Sequence, residues 1–273
     1  MLPYLEIGPW RIDMYSTAYA LAAIIAGGWF FYRVRQHRFQ ASPAARGLLW
    51  VVLGGVVGAN LGGALALGYE LLAGAPLPMA VKGNSFLGAL VGGGLTAALV
   101  CRHYRISFWR ACDRGIPALP LGQALGRLGC LTRGCCYGRP TDSFLGLYLP
   151  DNQGHWAVRY PTQLLDGAAS LVVMALLLIV EKSLSRRRAG DGDGPSLPGP
   201  APGEGGVTLL YIGLYLVQRF GFEFLRGDAL PACLGPLNST QLTCLAGLAA
   251  AAGVAAWKAR RAGVEAAAAD LPG

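Results

Sequence analysis

The sequence predicts an all-α, polytopic membrane protein with seven transmembrane helices, its N-terminus outside and its C-terminus in the cytoplasm. Three features predict it. The 273 residues are 53% apolar and only 14% charged, poor in charge for a soluble domain. Seven apolar segments approach or exceed the about 20 residues that cross a hydrocarbon core. The basic residues between them alternate in density from one connection to the next, which is how positive charge sets orientation.

In order, the segments are Met14–Tyr32, Leu48–Leu72, Ser85–Val100, Ile116–Leu131, Pro161–Val180, Val207–Phe224 and Thr240–Trp257. The first is followed, not preceded, by its positive charges, the reverse of a cleaved signal peptide, so it is expected to be retained. The second and third are crowded with small residues. Gly54, Gly58 and Gly62 lie four apart, as do Gly88 and Gly92, which predicts a face where a neighbouring backbone approaches closely. The fourth is the weakest, broken by Pro117, Pro120 and several glycines. Between the fifth and sixth, DGDGPSLPGPAPGEGG reads as a flexible linker. The predicted organisation is therefore a seven-helix membrane domain over 1–257, with an outer-face loop at 132–160 and a cytoplasmic linker at 189–206. A cytoplasmic tail follows at 258–273.

With the N-terminus outside, the cytoplasmic connections hold Arg33, Arg35, Arg38 and Arg46, then Arg102, Arg105, Arg110 and Arg114. They also hold Lys182, Arg186, Arg187 and Arg188, and finally Lys258, Arg260 and Arg261. The outer connections hold Arg11, Lys82, Arg133, Arg139, Arg159 and Arg226. The net charge of +8 is then a topological signal that also favours anionic membrane lipids, and nucleic acid is not an expected partner.

Ionisable residues inside a span are functional candidates because burying them is costly. Arg127 ends the fourth span. Arg219 and Glu223 lie four apart in the sixth, on one helix face where they can pair. Asp166 sits one turn into the fifth, where a carboxylate also complements the helix dipole. By topology all lie toward the outer leaflet, and two guanidiniums there suit a lipid phosphate. Beside them runs Gly126-Arg127-Leu128-Gly129-Cys130-Leu131-Thr132-Arg133-Gly134-Cys135-Cys136-Tyr137-Gly138-Arg139. His37, His103 and His155 all fall outside the spans, so no histidine base is expected within the membrane.

At these residues the chain resembles the bacterial prolipoprotein diacylglyceryl transferase family, over roughly residues 5–250. Ile7-Gly8-Pro9 followed by Tyr15 resembles the family's "IGP…WYG". Ser85-Phe86-Leu87-Gly88-Ala89-Leu90-Val91-Gly92 is similar to "SFHGGLIG". Gly126-Arg127-Leu128-Gly129 followed by Gly138-Arg139 is similar to "GRxGNFxNGExxGR". Arg159-Tyr160-Pro161-Thr162-Gln163-Leu164 resembles "RHPSQLYE", with Asp166 at its carboxylate. Arg219-Phe220-Gly221-Phe222-Glu223-Phe224-Leu225-Arg226 resembles "RxxxEFFR", and Ser239-Thr240-Gln241 the "SxGQ" that opens the last helix. Leu87 stands where the family has a histidine. Cys130, Arg133 and Cys135 stand for two asparagines and a glutamate, Tyr160 for a histidine, and Asn60 lies near a family arginine.

The resemblance implies a bacterial inner-membrane enzyme of lipoprotein biosynthesis. Its partners would be phosphatidylglycerol, the signal peptides of preprolipoproteins and membrane lipids. Its reaction moves the diacylglyceryl group of phosphatidylglycerol to a lipobox cysteine thiol. It further implies that Arg127, Arg219, Glu223 and Tyr15 serve catalysis. Arg127, Gln163, Asp166 and Tyr215 would bind the phospholipid.

Cys130, Cys135 and Cys136 are candidates for a disulfide, which persists outside the cytoplasm, or for a reactive thiol in a positive field. No cofactor is expected, and no metal is assigned, because three thiols with at best His155 make a poor tetrahedral set. Two alternatives stay open: a paralogue using these thiols in redox or thioester chemistry, and a phospholipid-binding protein without turnover.

Overall fold

A computed structural model describes residues 4–36, 41–73, 86–190, 204–229 and 231–269. The chain opens with β1 (Tyr4–Ile7) and β2 (Trp10–Asp13), followed by α1 (Met14–Gln36), α2 (Ala41–Ala73), α3 (Phe86–His103), α4 (Phe108–Gly115) and α5 (Ala118–Arg133). Then come β3 (Leu147–Pro150), β4 (Trp156–Arg159), α6 (Thr162–Gly190), α7 (Gly206–Glu223), β5 (Ala232–Leu234), β6 (Leu237–Asn238) and α8 (Ser239–Ala269). The protein is mostly helical, and each predicted apolar segment overlaps a helix over most of its described residues. Among the described residues, four stretches are long and apolar enough to cross a membrane: Met14–Arg33, Arg46–Leu65, Thr162–Leu184 and Ser239–Arg261. The predicted linker at 189–206 lies mostly outside the described residues, and α8 runs on past Trp257 to Ala269.

The weak fourth segment is a continuous helix for a local reason. Pro117 is the N-cap of α5 and Pro120 sits in its first turn, where the missing N–H has no intrahelical acceptor to lose.

Three short antiparallel hairpins, β1–β2, β3–β4 and β5–β6, were not anticipated by the helical reading. Two share one device. Gly8-Pro9 and Gly235-Pro236 make the turns, with the glycines at φ 60° and 57°, the positive φ that a two-residue loop demands. In each case the last residue of the second strand caps the helix that follows. The Asp13 carboxylate accepts the Ser16 N–H (3.2 Å) and hydroxyl (2.5 Å) ahead of α1. The Asn238 side-chain oxygen accepts the Gln241 N–H (3.0 Å), while the Gln241 side chain accepts the Asn238 N–H (3.1 Å), a reciprocal capping box on α8.

The chain divides into two compact units. One holds the three hairpins, α1 as far as Phe30, and α5 to α8. In it α5 packs on α6, α6 on α7, and α7 on α8, around buried Val173, Leu177, Val207 and Tyr211. The other holds the rest of α1, α2, α3 and α4. There α2 and α3 meet through the glycines at four-residue spacing. A Cβ on Gly58 would lie 2.2 Å from the Gly88 carbonyl oxygen and 2.9 Å from the Gly92 Cα, so only hydrogen fits.

The outward faces are apolar. Ile24 on α1, Leu65 on α2 and Ile179 on α6 are 68%, 75% and 63% exposed, a surface suited to lipid.

Candidate active site

The polar residues inside the first unit gather where α5, α6, α7 and the start of α8 meet. On α6, Gln163, Asp166 and Ser170 recur at helical spacing and are all buried. On α7, Tyr211, Tyr215, Gln218, Arg219 and Glu223 share one face by the same spacing, and Tyr211 stacks on Tyr215 at 6.0 Å. Polar groups on facing stripes largely pair with one another, because lipid offers no hydrogen bonds.

Two ion pairs organise the site. Arg127 on α5 pairs through Nη2 with Asp166 on α6. Gln218 reinforces that carboxylate, donating to Asp166 Oδ1 at 2.5 Å, to the Asp166 carbonyl at 3.1 Å and to Ser170 Oγ at 3.0 Å. Arg219 pairs through Nη1 with Glu223 Oε2 at 2.8 Å, as the four-residue spacing predicts. The other oxygen of Glu223 accepts from the Asn238 amide at 3.1 Å. The helix-capping residue of α8 thus also fixes the carboxylate of α7. Tyr215 lies within electrostatic reach of Arg127, Arg219 and Asp166, so the two pairs belong to one neighbourhood.

The end of α5 bends into this neighbourhood. Gly134 closes the helix in the left-handed conformation (φ 75°, ψ 17°), and the Cys130 carbonyl accepts both the Gly134 N–H (3.0 Å) and the Cys135 N–H (3.2 Å). The fold-back returns Cys135 and Cys136 to Cys130, and the three Sγ atoms lie within 4.8 Å of one another. All seven cysteines are free thiols, so the disulfide reading has no bridge in this structure. His155 is elsewhere, against Asp151 at 3.5 Å.

Beyond the thiols the chain passes between two other segments. Arg139 donates its N–H to the Leu225 carbonyl (2.9 Å) and accepts from Tyr160 N–H (3.2 Å), and Gly227 N–H bonds the Tyr137 carbonyl (2.8 Å). A Cβ on Gly138 would lie 2.1 Å from the Tyr160 carbonyl oxygen, which explains a glycine there. Arg226, just past α7, pairs with Asp228 at 2.9 Å, and Asp228 accepts the Cys136 N–H at 2.9 Å.

The structure places the expected residues in two subsets. Arg127, Asp166, Tyr215, Arg219 and Glu223 form the ion-pair group. Gln163 and Tyr15 instead flank the thiols. Gln163 donates to the Cys135 carbonyl at 3.0 Å, and its own side-chain oxygen is buried with no hydrogen-bond partner among the described residues. Tyr15 carries the Arg133 guanidinium 4.9 Å above its ring and packs at 4.7 Å on Tyr19, whose hydroxyl lies 3.5 Å from Cys130 Sγ. Leu87 falls in α3, and its side chain lies outside the described residues.

Sequence reasoning missed Gln218, Ser170, Asn238, Tyr19 and the Arg226–Asp228 pair. Two carried a usable signal. Gln218 lies one turn beyond Tyr215 on the Arg219 face, and Asn238 with Gln241 is a capping-box spacing.

Comparison with known proteins identifies the family. The sequence model described as "Prolipoprotein diacylglyceryl transferase" matches residues 3–257. A protein of Gloeobacter violaceus named phosphatidylglycerol–prolipoprotein diacylglyceryl transferase is 32% identical over 266 residues, covering 94% of this chain and 92% of its own. The protein of the same name from Chromohalobacter salexigens is 32% identical over 227 residues, covering 81% and 78%. That from a Nostoc species is 29% identical over 259 residues, covering 92% and 87%. With its polar core, its apolar helices and this match over nearly the whole length, the chain belongs to the prolipoprotein diacylglyceryl transferase family of membrane enzymes.

Proposed function

We propose that this protein transfers the diacylglyceryl group of phosphatidylglycerol to the lipobox cysteine thiol of preprolipoproteins, at the outer leaflet of a bacterial inner membrane. The observation that carries this is the pair of buried guanidinium–carboxylate contacts, Arg127–Asp166 and Arg219–Glu223, around Tyr215 in a membrane protein of this family. The seven-span arrangement, N-out and C-in, is part of the same proposal. In support, the β1–β2 hairpin precedes α1, and β3–β4 and β5–β6 follow the ends of α5 and α7 that carry Arg127, Arg219 and Glu223, all in segments this topology puts outside.

The chemistry follows from the groups present. The acceptor thiolate attacks the glycerol carbon that bears the phosphate. A carbon–sulfur bond forms as the carbon–oxygen bond breaks, and the electron pair leaves with glycerol phosphate. Negative charge concentrates on the departing phosphate, where fixed guanidiniums stabilise it more than they stabilise the diester. A guanidinium has five N–H donors, so Asp166 and Glu223 orient Arg127 and Arg219 while leaving donors for phosphate oxygens. A thiol needs little help to ionise, its ordinary pKa being about 8.5 and falling in a positive field. The Asp166 and Glu223 carboxylates are the proton acceptors beside the guanidiniums. Tyr215 orients the headgroup between the two pairs. Gln163 and Tyr15 hold the neighbouring loop and the end of α5.

The test is single-turnover transfer in nanodiscs. Purified protein meets labelled phosphatidylglycerol and a lipobox peptide, and product is read by mass. The peptide is expected to gain one diacylglyceryl group. Arg127→Ala is expected to slow the transfer by about 100-fold or more, the scale of losing one charge-stabilising donor. Bound lipid with no peptide product, beside an active control enzyme, overturns the proposal.

A further inference from the structure

The three thiols take no part in the reaction just described, and their arrangement has its own consequence. We propose that Cys130, Cys135 and Cys136 form a binding site for one soft d10 metal ion, Cu(I), held trigonally by three thiolates. The site does not depend on the transferase reading.

Three lines of geometry support it. The first is distance. Metal–sulfur bonds of about 2.3 Å in a plane separate the three sulfurs by about 4 Å, and the Sγ atoms already lie within 4.8 Å of one another. Side-chain rotation alone closes the difference.

The second is a rigid frame anchored through the backbone, in which the sulfurs make only long contacts: the Tyr19 hydroxyl lies 3.5 Å from Cys130 Sγ, and Cys135 Sγ 3.8 Å from the Cys130 carbonyl. The Cys130 carbonyl takes two N–H groups from the turn. The Cys135 carbonyl takes the Gln163 amide (3.0 Å), and the Cys136 carbonyl takes the Thr162 hydroxyl (2.7 Å). The Cys136 N–H goes to Asp228 (2.9 Å). Side chains of α6 and of the segment after α7 thus anchor the loop through its backbone groups. Cys136 is also held at φ 57°, a conformation rare for a side-chain-bearing residue, kept by these contacts. Ligand loops fixed by outer contacts in this way are what metal sites need.

The third is electrostatic. Cys130 is only 2% exposed, and Arg127 and Arg226 lie within electrostatic reach of the thiols. A Cu(I) ion with three thiolates carries two net negative charges, which Arg127 and Arg226, themselves paired with Asp166 and Asp228, lie close enough to attenuate. The donor set selects the metal. Thiolates favour Cu(I) and zinc, and structural zinc takes four ligands. Among the described residues the group has three donors of the kind that bind metals and no fourth.

The test uses the full-length protein, purified in detergent and reduced without oxygen, then exposed to Cu(I) buffered by a chelator of known affinity. The expected result is one copper per chain, three sulfur neighbours by X-ray absorption, and copper-dependent shielding of Cys130, Cys135 and Cys136 from alkylation. Exposed Cys233 stays reactive. Cys130→Ser, Cys135→Ser and Cys136→Ser are each expected to weaken binding by at least tenfold, and Cys233→Ser to leave it unchanged. Shielding in the wild-type chain needs no variant to fold, and none of these readouts requires transfer activity. Copper held equally well by the variant lacking all three thiols overturns the proposal. So does zinc retained in preference to copper. A disulfide among the three in protein alkylated within its membrane, with no copper bound after reduction, overturns it as well.

Discussion

Replacing Asp166 with alanine isolates what the ion pair does for the fold. The Asp166 side chain is 10% exposed and that of Arg127 20%, so the pair is largely out of water. Gln218 keeps two acceptors in the variant, the residue-166 carbonyl and Ser170 Oγ, so no amide is orphaned. The loss therefore falls on Arg127, left as a buried guanidinium without its partner, at a cost of about 3–5 kcal/mol. Arg127→Ala strands the carboxylate instead, with a cost of the same order. The double variant buries neither charge. It is expected to be less destabilised than the two single effects combined, by at least about 2 kcal/mol. Reversible unfolding of the full-length protein in mixed micelles, titrated with a denaturing detergent, measures all four corners of the cycle. Additivity within about 0.5 kcal/mol means the two residues act independently, and it would refute the coupled site.

Three further outcomes follow from the same structure. Gly58→Ala drives a Cβ to 2.2 Å from the Gly88 carbonyl oxygen and is expected to cost about 1–3 kcal/mol in the same unfolding assay. Gly94→Ala, with nothing within 4 Å of its Cβ, stays neutral or gains slightly from helix propensity. Asn238→Ala removes a cap and a hydrogen bond to buried Glu223 together, so about 2–3 kcal/mol is expected. Asn238→Asp restores the cap but sets a second carboxylate on Glu223, so it should rescue little. In the β3–β4 hairpin, burial tends to raise the Asp151 pKa, yet the N–H groups of His155 and Gln153, with the charges of His155 and Arg159, carry it below its ordinary 3.8. Its contribution is therefore complete above about pH 4 and is lost as pH falls through the lowered value. Amide protection in residues 151–159, with each rate referred to that of an unstructured peptide at the same pH, should fall on acidification below pH 4, and Asp151→Asn should abolish that fall.

The order in which the polar landmarks were legible follows from the range of the forces involved. Arg219–Glu223 could be read as a pair because four residues is one helical turn, and the glycines of α2 and α3 because the same period lines them on one face. Arg127–Asp166 could not be paired from the sequence, since its partners sit on different helices and only packing chooses their register. The hairpins escaped because strands of two to four residues leave almost no period to detect, although Gly8-Pro9 and Gly235-Pro236 marked the turns. Pro120 misled for an instructive reason: a proline breaks a helix interior but is harmless in a first turn.

The sequence by itself determined the class of protein, its apolar helices and its family, because these depend on composition, short-range period and matched landmarks, and on the same landmarks it nominated the residues proposed to meet a phosphate. The tertiary structure alone decided which carboxylate serves which arginine and that Asn238 both caps α8 and holds Glu223. It alone brought Cys130 to the adjacent Cys135 and Cys136, five and six residues further on, at one point beside two arginines. Those outcomes depend on where α5 ends, on the left-handed turn at Gly134 and on the anchoring of the loop by α6. Non-local packing sets that geometry, and no local pattern encodes it.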